Sequence, residues 1–538
     1  MPTLTTGLRE PLRRGVLEAR RAVTEGVRQV LQRLAVERHE PFGTMSITER
    51  ELRNRLRARG RQLGDQREQA RGTQGISNLT AVAAYELWHR MLFARFLEAN
   101  GLLFDPDAGA PVALSLDDVR DRANAEGRTW PEVAARFAQR LLPQIFRVDD
   151  PVFEIRLPME TTSTLEKILQ QDIPLEAFTS DDALGWVYQY WQSDEKDRIN
   201  RAGGKVRAAE VPAVTQLFTE DYMVWFLLHN TLGAWWAGKV LATNPALARE
   251  AGSEDELRAA CALPGVDWAY LRFVREGDAW RPAAGTFADW PTTAREITVL
   301  DPCMGSGHFL IFALPIVAAM RAAEEGTTLA EATDAALREN VFGLELDPRC
   351  AQLAAFNLAV TAWRATGYRS LPRLSLACSG IPATGDVARW RDLGRGNLVH
   401  VAAMGHLHAL FAKADVLGSL IDPHGVMADF GRLPFAELEP VLARAMETET
   451  GDADEHELAV SVQGIAKAAT LLAKRYVLVA TNVPFLGSSK QDEPLREHCA
   501  RVYPLSKSDL ATCFVERCLI SRGARELSGS FRLRRGLV

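Results

Sequence analysis

Short apolar runs that lead into helical runs recur in the second half of this 538-residue chain. Four of them predict strands: ITVLDP (297–302), VFGLELDP (341–348), LPRLSLACSG (371–380) and RYVLVATNVPF (475–485). Apolar strands that alternate with helices are typical of a parallel sheet covered by helices on both faces. The alternation therefore predicts an α/β fold for this half of the chain.

The first 210 residues predict helices instead of strands. Residues 8–75 are rich in Arg and Glu, with apolar residues at helical spacing, which indicates solvated amphipathic helices. The run NLTAVAAYELWHRMLFARFLEANGLLF (78–104) predicts a strong helix that ends at Asn100-Gly101, a pair typical of helix carboxyl ends. Within this run we expect Trp88 and His89 to be core or interface residues.

Composition excludes several classes of protein. The net charge of -6 and pI near 6.0 give no general sign of a polyanionic partner, although basic residues gathered along one cleft would still serve one. Seven scattered cysteines without a CxxC pair, and ten histidines without HExxH spacing, predict neither a metal site nor a disulfide framework. The first residues lack a secretory apolar core, and Phe309–Met320 is too short to span a bilayer. We expect a cytoplasmic protein with no membrane role.

The sharpest local feature is DPCMGSGHF, which follows the first predicted strand (301–309). A strand ending in Asp301, then Gly305 and Gly307, then a helix suits a nucleoside-bearing cofactor, because glycines let the backbone approach a ligand. A purely structural turn explains the same pattern. No GxxxxGK[ST] phosphate loop is present, and Leu310 replaces the third glycine of a dinucleotide fingerprint.

An acidic residue, Glu345, ends the second predicted strand. A carboxylate at this position can accept hydrogen bonds from both hydroxyls of a ribose. The alternative is a solvated strand-end carboxylate. Between Asp301 and Glu345 the run EEGTTLAEATDAALREN predicts an extra helix.

An amide, Asn482, stands at the tip of the fourth predicted strand in Asn482-Val483-Pro484-Phe485. Its side chain can accept a hydrogen bond from an exocyclic amine and donate through its own NH2. An aromatic ring a few residues on can stack on a flipped base. An ordinary β–α turn explains the same four residues if they are taken alone.

Together these motifs resemble those of the gamma-ordered amino-methyltransferases. DPCMGSGHF is similar to their cofactor motif, NVPF to their (N/D)PP(Y/F) catalytic motif, and residues 215–219 to a TQLFTP-type segment that closes over methionine. The segments LGWVYQYWQSDEKD and TNVPFLGSSKQ extend the resemblance to the large methyltransferases of BREX (PglX-like) and DISARM phage-defence systems, relatives of type IIG enzymes. The resemblance covers about residues 78–520.

The resemblance implies a fold, a cofactor and a substrate. It implies a Rossmann-like methyltransferase sheet, preceded by a mainly helical region, that transfers methyl from S-adenosylmethionine to adenine N6 in DNA. Double-stranded DNA with a flipped adenine is then the partner, together with other defence-system subunits. Cofactor contacts are implied for Thr219, Asp301, Gly305, Gly307 and Glu345, and contacts to the target adenine for Asn482, Pro484 and Phe485.

Five regions follow from the motifs and the resemblance. They are a helical amino-terminal arm (1–75), a helical domain (76–210), the S-adenosylmethionine-binding part of a methyltransferase domain (211–390), a helical insertion (391–470), and a catalytic-motif strand and helix with a tail (471–538).

Three positions depart from the family pattern. Val483 replaces the usual first proline of the catalytic motif. Glu220 replaces the proline that usually follows Thr219, although we expect Thr219 still to cap the next helix. The tail ARELSGSFRLRRGLV lacks strand alternation, which predicts a truncated end and an incomplete sheet. On this interpretation the chain alone does not methylate specific DNA sites.

Two other functions stay open from the sequence. One is a truncated, non-catalytic module that binds DNA or partner subunits. The other is a fragment of a methylase–nuclease fusion, although residues 1–210 contain no convincing PD…(D/E)xK signature. Five basic residues are candidates for phosphate contacts, but we expect them to be solvated surface residues: Arg349, Lys490, Arg496, Lys507 and Arg517.

Overall fold

The computed structural model describes residues 4–522, except 69–70, 106–111, 142–149, 181, 207–209, 216–218, 395–396 and 424–452. Within this part of the chain, no helix is long and apolar enough to cross a membrane. The same residues contain no group of three or more His, Cys, Asp or Glu side chains that could hold a metal ion. Much of the predicted insertion and the predicted tail lie outside the described residues.

Helices dominate the described chain up to residue 260, which confirms the helical prediction for the first 210 residues. Their bounds are α1 Thr6–Arg33, α2 Ile47–Gln62, α3 Ser77–Ala99, α4 Leu116–Glu126, α5 Trp130–Leu141, α6 Met159–Lys167, α7 Leu175–Thr179, α8 Ala183–Ala202, α9 Val211–Thr215, α10 Asp221–Leu228, α11 Ala234–Thr243, α12 Pro245–Glu250 and α13 Glu254–Ala260. The predicted end of α3 is confirmed, because Asn100 follows its last turn and Gly101 has a φ of +65°.

The long first helix is amphipathic, as predicted, but its apolar face is packed in the core instead of being solvated. Its Val16, Val23 and Val27 side chains are fully buried, and α1 contacts α3 and α8. Trp88 and His89 on α3 are buried in the same region, as predicted. The charged composition describes only the outer face of α1, while its apolar stripe joins the core.

Two small antiparallel hairpins were not predicted. They are β1 Arg67–Glu68 with β2 Thr73–Gln74, and β3 Phe273–Glu276 with β4 Ala279–Pro282. Most of their side chains are exposed or only half-buried, so the sequence shows none of the apolar alternation by which strands are recognised.

Four strands form a parallel sheet, which confirms the predicted α/β class. They are β5 Val299–Asp301, β6 Val341–Glu345, β7 Leu376–Cys378 and β8 Leu478–Val479, in the spatial order β7-β6-β5-β8. Each strand lies within one of the four predicted runs. Val299 of β5 pairs with Val341 of β6 on one side and with Leu478 of β8 on the other. The first residues of these three strands are therefore in register.

The remaining helices surround this sheet. They are α14 His308–Glu325, α15 Leu329–Glu339, α16 Pro348–Thr366, α17 Val387–Asp392, α18 Leu398–Phe411, α19 Ala414–Leu417, α20 Ala453–Ala473, α21 Glu493–Val502 and α22 Leu510–Ser521. The extra helix predicted between the first two strands is α15, which starts with a capping box of Thr328 and Glu331.

Neighbouring residues on each strand point to different apolar clusters. Val299 and Val341 belong to a cluster that includes residues of α14, α16 and the amino-terminal helices. Leu300 and Phe342 belong to a second cluster, with residues of α18, α20 and α22. Because successive strand side chains point to opposite faces, helices cover both faces of the sheet.

Candidate active site

A cleft opens at the carboxyl ends of β5, β6 and β8. The chain continues from β5 to β6 on one side, while β8 lies on the other side of β5. Open parallel sheets bind ligands at such a reversal of strand order. The empty space is about 1090 Å³, counting the part open to solvent. Six of the eight predicted site residues line the cleft: Thr219, Asp301, Gly305, Glu345, Asn482 and Pro484.

The two glycines after β5 have different tasks. Gly305 and Gly307 have φ values of +53° and +85°, a region that other residues rarely adopt. A Cβ on Gly307 would lie 3.0 Å from the Cβ of Ala354 in α16, whereas one on Gly305 would meet nothing within 4 Å. Gly307 therefore lets α14 pack against α16, and Gly305 leaves backbone accessible in the cleft.

Glu345 is bound by the backbone around it and is not the solvated carboxylate that the sequence left as an alternative. Its Oε2 accepts the N–H of Gly305 at 2.8 Å, and Gly305 lies in the loop that follows the neighbouring strand β5. Its Oε1 accepts the N–H groups of Leu346 and Asp347 at 2.9 and 3.0 Å. The carboxylate therefore fixes the glycine loop to the end of β6 as well as lining the cleft.

Asp301 is the second carboxylate of the cleft, and its side chain is almost completely buried. It accepts the Cys303 N–H at 3.1 Å, which holds the start of the glycine loop. Burial raises the pKa of both Asp301 and Glu345 to about 7, because a carboxylate removed from water holds its proton more tightly. The hydrogen bonds to their oxygens oppose this effect without cancelling it.

The charge of the lining restricts what this cleft can bind. The described residues that line it include Asp301 and Glu345 but no Lys or Arg. Two carboxylates without a cationic side chain beside them disfavour phosphate groups and favour a cationic ligand that carries hydroxyl groups. The sulfonium, the ammonium group and the ribose of S-adenosylmethionine fit this set of side chains.

Asn482, just after β8, faces Thr219 across the cleft. The Asn482 Nδ2 donates to the Thr219 Oγ1 at 3.0 Å. The prediction that Thr219 caps the next helix is wrong, because Glu220 precedes α10 and no side chain caps its first turn. The hydroxyl instead sets the orientation of the Asn482 amide. Residues 216–218 of the predicted methionine-closing segment lie outside the described residues.

Two predicted site residues do not line the cleft. Gly307 starts α14 and serves the packing described above. Phe485 directly follows Pro484, a lining residue, and its ring is 59% exposed. An exposed aromatic ring beside the cleft is accessible to a ligand that approaches from solvent.

A buried network that the sequence did not predict joins α8 to the turn after β6. The Tyr188 hydroxyl donates to Asp347 Oδ2 and accepts from Gln192 Nε2 at 2.9 Å. Asp347 also accepts from the Arg349 guanidinium at 2.6 Å, and the Tyr85 hydroxyl donates to the Arg349 carbonyl oxygen at 3.0 Å. Burial would raise the pKa of Asp347, but Arg349 and these hydrogen bonds hold it below its usual value. The amino-terminal helices therefore hold the turn that presents Glu345.

His308 was also missed, although it belongs to the glycine motif. Its Nε2 lies 2.8 Å from Asp221 Oδ1 at the start of α10, and its ring lines the cleft. This contact ties α10 to the first residue of α14. The sequence placed His308 beside the glycines but gave no sign of its distant partner.

The sequence predicted that five basic residues are solvated at the surface, and this prediction is correct for three of them. Lys490, Arg496 and Lys507 are exposed. Arg517 is buried and donates to the carbonyl oxygens of Ile421 and Leu472, so its prediction as a surface residue is wrong. Arg349 is half-buried and paired with Asp347.

Two curated proteins are similar to this chain in sequence. It is 25% identical to the adenine-specific methyltransferase PglX of Lacticaseibacillus casei (strain Zhang), over 93% of this chain and 44% of that protein. It is 28% identical to the adenine-specific methyltransferase BrxX of Escherichia coli O9:H4 (strain HS), over 82% of this chain and 39% of that protein. The chain thus spans less than half the length of these relatives. No protein-family model matches it.

Among solved structures, the cryoEM structure of a DrdV–DNA complex matches 96% of this chain and 35% of that chain. The TM-score is 0.36 and the sequence identity 11%, too low to show a shared fold. The sequence comparisons confirm the predicted resemblance: over most of its length, this chain is similar to the adenine-specific methyltransferases PglX and BrxX.

Proposed function

We propose that this chain is the part of a DNA adenine-N6 methyltransferase that binds S-adenosylmethionine and transfers its methyl group. One observation carries the proposal: Asn482 shares a cleft with Asp301 and Glu345, at the reversal of strand order in a parallel sheet. The likeness to PglX and BrxX supports it independently. We assign the sheet to the Rossmann-like methyltransferase class on the same grounds.

The cofactor assignment follows the chemistry of the lining. We assign ribose and sulfonium recognition to Glu345 and Asp301, whose carboxylates suit hydroxyl and cationic groups. The open backbone at Gly305 lets the cofactor approach closely, while Gly307 acts by shaping the loop. Thr219 lines the cleft and accepts the Asn482 hydrogen bond, so we assign it a contact with the cofactor as well.

The reaction needs an adenine amine aimed at an activated methyl group. When bound, S-adenosylmethionine supplies that methyl on a positively charged sulfur. Asn482 donates its NH2 group to Thr219, which leaves its carbonyl oxygen to accept a hydrogen bond from the N6 amine. The Pro484 carbonyl accepts the second amine hydrogen, and Phe485 stacks on the flipped base. With the cofactor held by Asp301 and Glu345, Asn482 and Pro484 would hold the N6 amine with its lone pair directed at the methyl group that the cofactor would supply.

The wider setting is part of the same proposal. Double-stranded DNA is the substrate, and the names of the two relatives support adenine as the base. We place the protein in the cytoplasm, within a phage-defence or restriction-modification system that marks its own DNA and contains further subunits. The five regions predicted from the sequence remain our proposed domain boundaries.

Methylation-sensitive sequencing of cellular DNA tests the function. Three strains are compared: the native strain, a deletion of the gene, and a strain with Asn482→Ala at the native locus. We expect N6-methyladenine at a defined motif in the native strain and none at that motif in the other two. Identical methylation in all three strains contradicts the proposal. Loss in the deletion but not in Asn482→Ala shows that Asn482 is not catalytic.

A further inference from the structure

A second cavity lies among the amino-terminal helices, and none of its lining residues belongs to the cleft. Residues of α1, α2, α3 and α5 line it, together with residues 153–157. Its empty space is about 1380 Å³, counting the part open to solvent. Nothing in the proposed methyl transfer uses this cavity.

Arginines dominate the polar lining of this cavity. They are Arg33, Arg90, Arg128, Arg136 and Arg156. The lining also holds three carboxylates, and each already has a partner of its own. Glu132 accepts from the backbone and hydroxyl of Thr129, Glu49 accepts from those of Ser46, and Glu154 pairs with Arg55. Two of the arginines, Arg128 and Arg136, are paired with Glu126, which lies outside the lining. The other three form no ion pair within the described part of the chain, so the cavity keeps a surplus of positive charge.

Arg90 is the strongest sign that a ligand belongs there. Its side chain is only 7% exposed, its Nη1 donates to Gln139 at 3.0 Å, and its guanidinium lies over the Phe153 ring. Its Nε has no hydrogen-bond partner within the described part of the chain, and the same holds for the Nε of Arg136. A buried cationic donor without an acceptor is costly, so an anion that accepts these N–H groups is stabilised.

The rest of the wall narrows the class of anion. Leu34, Leu52, Leu87 and Met91 add apolar surface to the lining, beside the arginines. Guanidinium groups bind phosphate oxygens in pairs, and apolar walls hold a base or another flat group. We propose that this cavity binds a phosphorylated small molecule with an aromatic part, of the nucleotide class.

Isothermal titration of the purified chain tests the proposal with three probes: ATP, adenosine and inorganic phosphate. We expect saturable binding of ATP, and binding of adenosine and phosphate that is weaker by about tenfold or more, because each lacks one half of the contacts. Excess S-adenosylmethionine is expected not to displace ATP. Displacement places ATP in the cleft and overturns the proposal, as does the absence of ATP binding. Phosphate binding as tight as that of ATP overturns the nucleotide class.

Two variants connect the binding to the cavity. Arg33 and Arg156 are exposed residues at its edge, so the double variant Arg33→Ala/Arg156→Ala is expected to fold and to bind ATP about tenfold more weakly, the scale of lost charge-assisted hydrogen bonds. Arg14→Ala/Arg21→Ala removes the same charge from exposed positions of α1 outside the cavity and is expected to bind as the native chain does. Equal affinity in the two double variants refutes the site.

Discussion

Removing the Tyr188 hydroxyl tests whether the amino-terminal helices hold the cofactor-binding turn. Tyr188→Phe deletes the hydrogen bond to buried Asp347 and leaves Gln192 Nε2 without its acceptor. A hydrogen bond to a charged group and an unpaired buried donor together predict a loss of about 2–5 kcal/mol in the free energy of unfolding. Because the Asp347 N–H also binds Glu345, we expect affinity for S-adenosylmethionine to fall by up to about tenfold.

Urea unfolding and isothermal titration measure the two effects separately. Tyr190→Phe, on the same helix, is the matched control, because no hydrogen bond of its hydroxyl is found in the described part of the chain. We expect its stability and affinity to match those of the native chain. The reasoning is refuted if Tyr188→Phe unfolds at the same urea concentration as Tyr190→Phe.

Three further predictions concern residues in or beside the cleft. Gly307→Ala is expected to lower the free energy of unfolding by about 1–2 kcal/mol in urea titrations, because its φ is +85°; unchanged stability contradicts this. Thr219→Val at the native locus is expected to reduce N6-methyladenine in cellular DNA, because it releases the Asn482 amide; unchanged methylation contradicts this. Burial raises the pKa of Asp301 and Glu345 to about 7, so the folded state holds extra protons and the free energy of unfolding falls as pH rises from about 4 to 7. Glu345→Gln is expected to make that fall shallower, and an unchanged slope contradicts it.

The sheet and the strand-end side chains of the cleft were predictable because their signals are local. Each strand of the sheet is an apolar run followed by a turn, and parallel strands bring their carboxyl ends to one edge. The positions of Asp301, Glu345 and Asn482 in the cleft follow directly from their places at these strand ends. Capping and glycine patterns similarly marked the end of α3.

Contacts between distant segments were not predictable from such patterns. Thr219 has the sequence context of a helix cap, but its partner Asn482 lies far along the chain. The charge of Arg517 predicts a surface residue, but its guanidinium is buried. It donates there to the carbonyl oxygens of Ile421 and Leu472, both of which are distant in the sequence. The Tyr188 network likewise depends on how α8 packs against the turn after β6, which no local pattern encodes.

Equilibrium binding of S-adenosylmethionine to the purified chain tests the central claim most directly. The native chain, Glu345→Ala and Asn482→Ala are compared by isothermal titration. We expect one cofactor per native chain, binding weaker by about 1–3 kcal/mol in Glu345→Ala, and nearly native affinity in Asn482→Ala, whose amide acts on the target amine. The account is contradicted if the native chain does not bind the cofactor, or if Asn482→Ala loses as much affinity as Glu345→Ala.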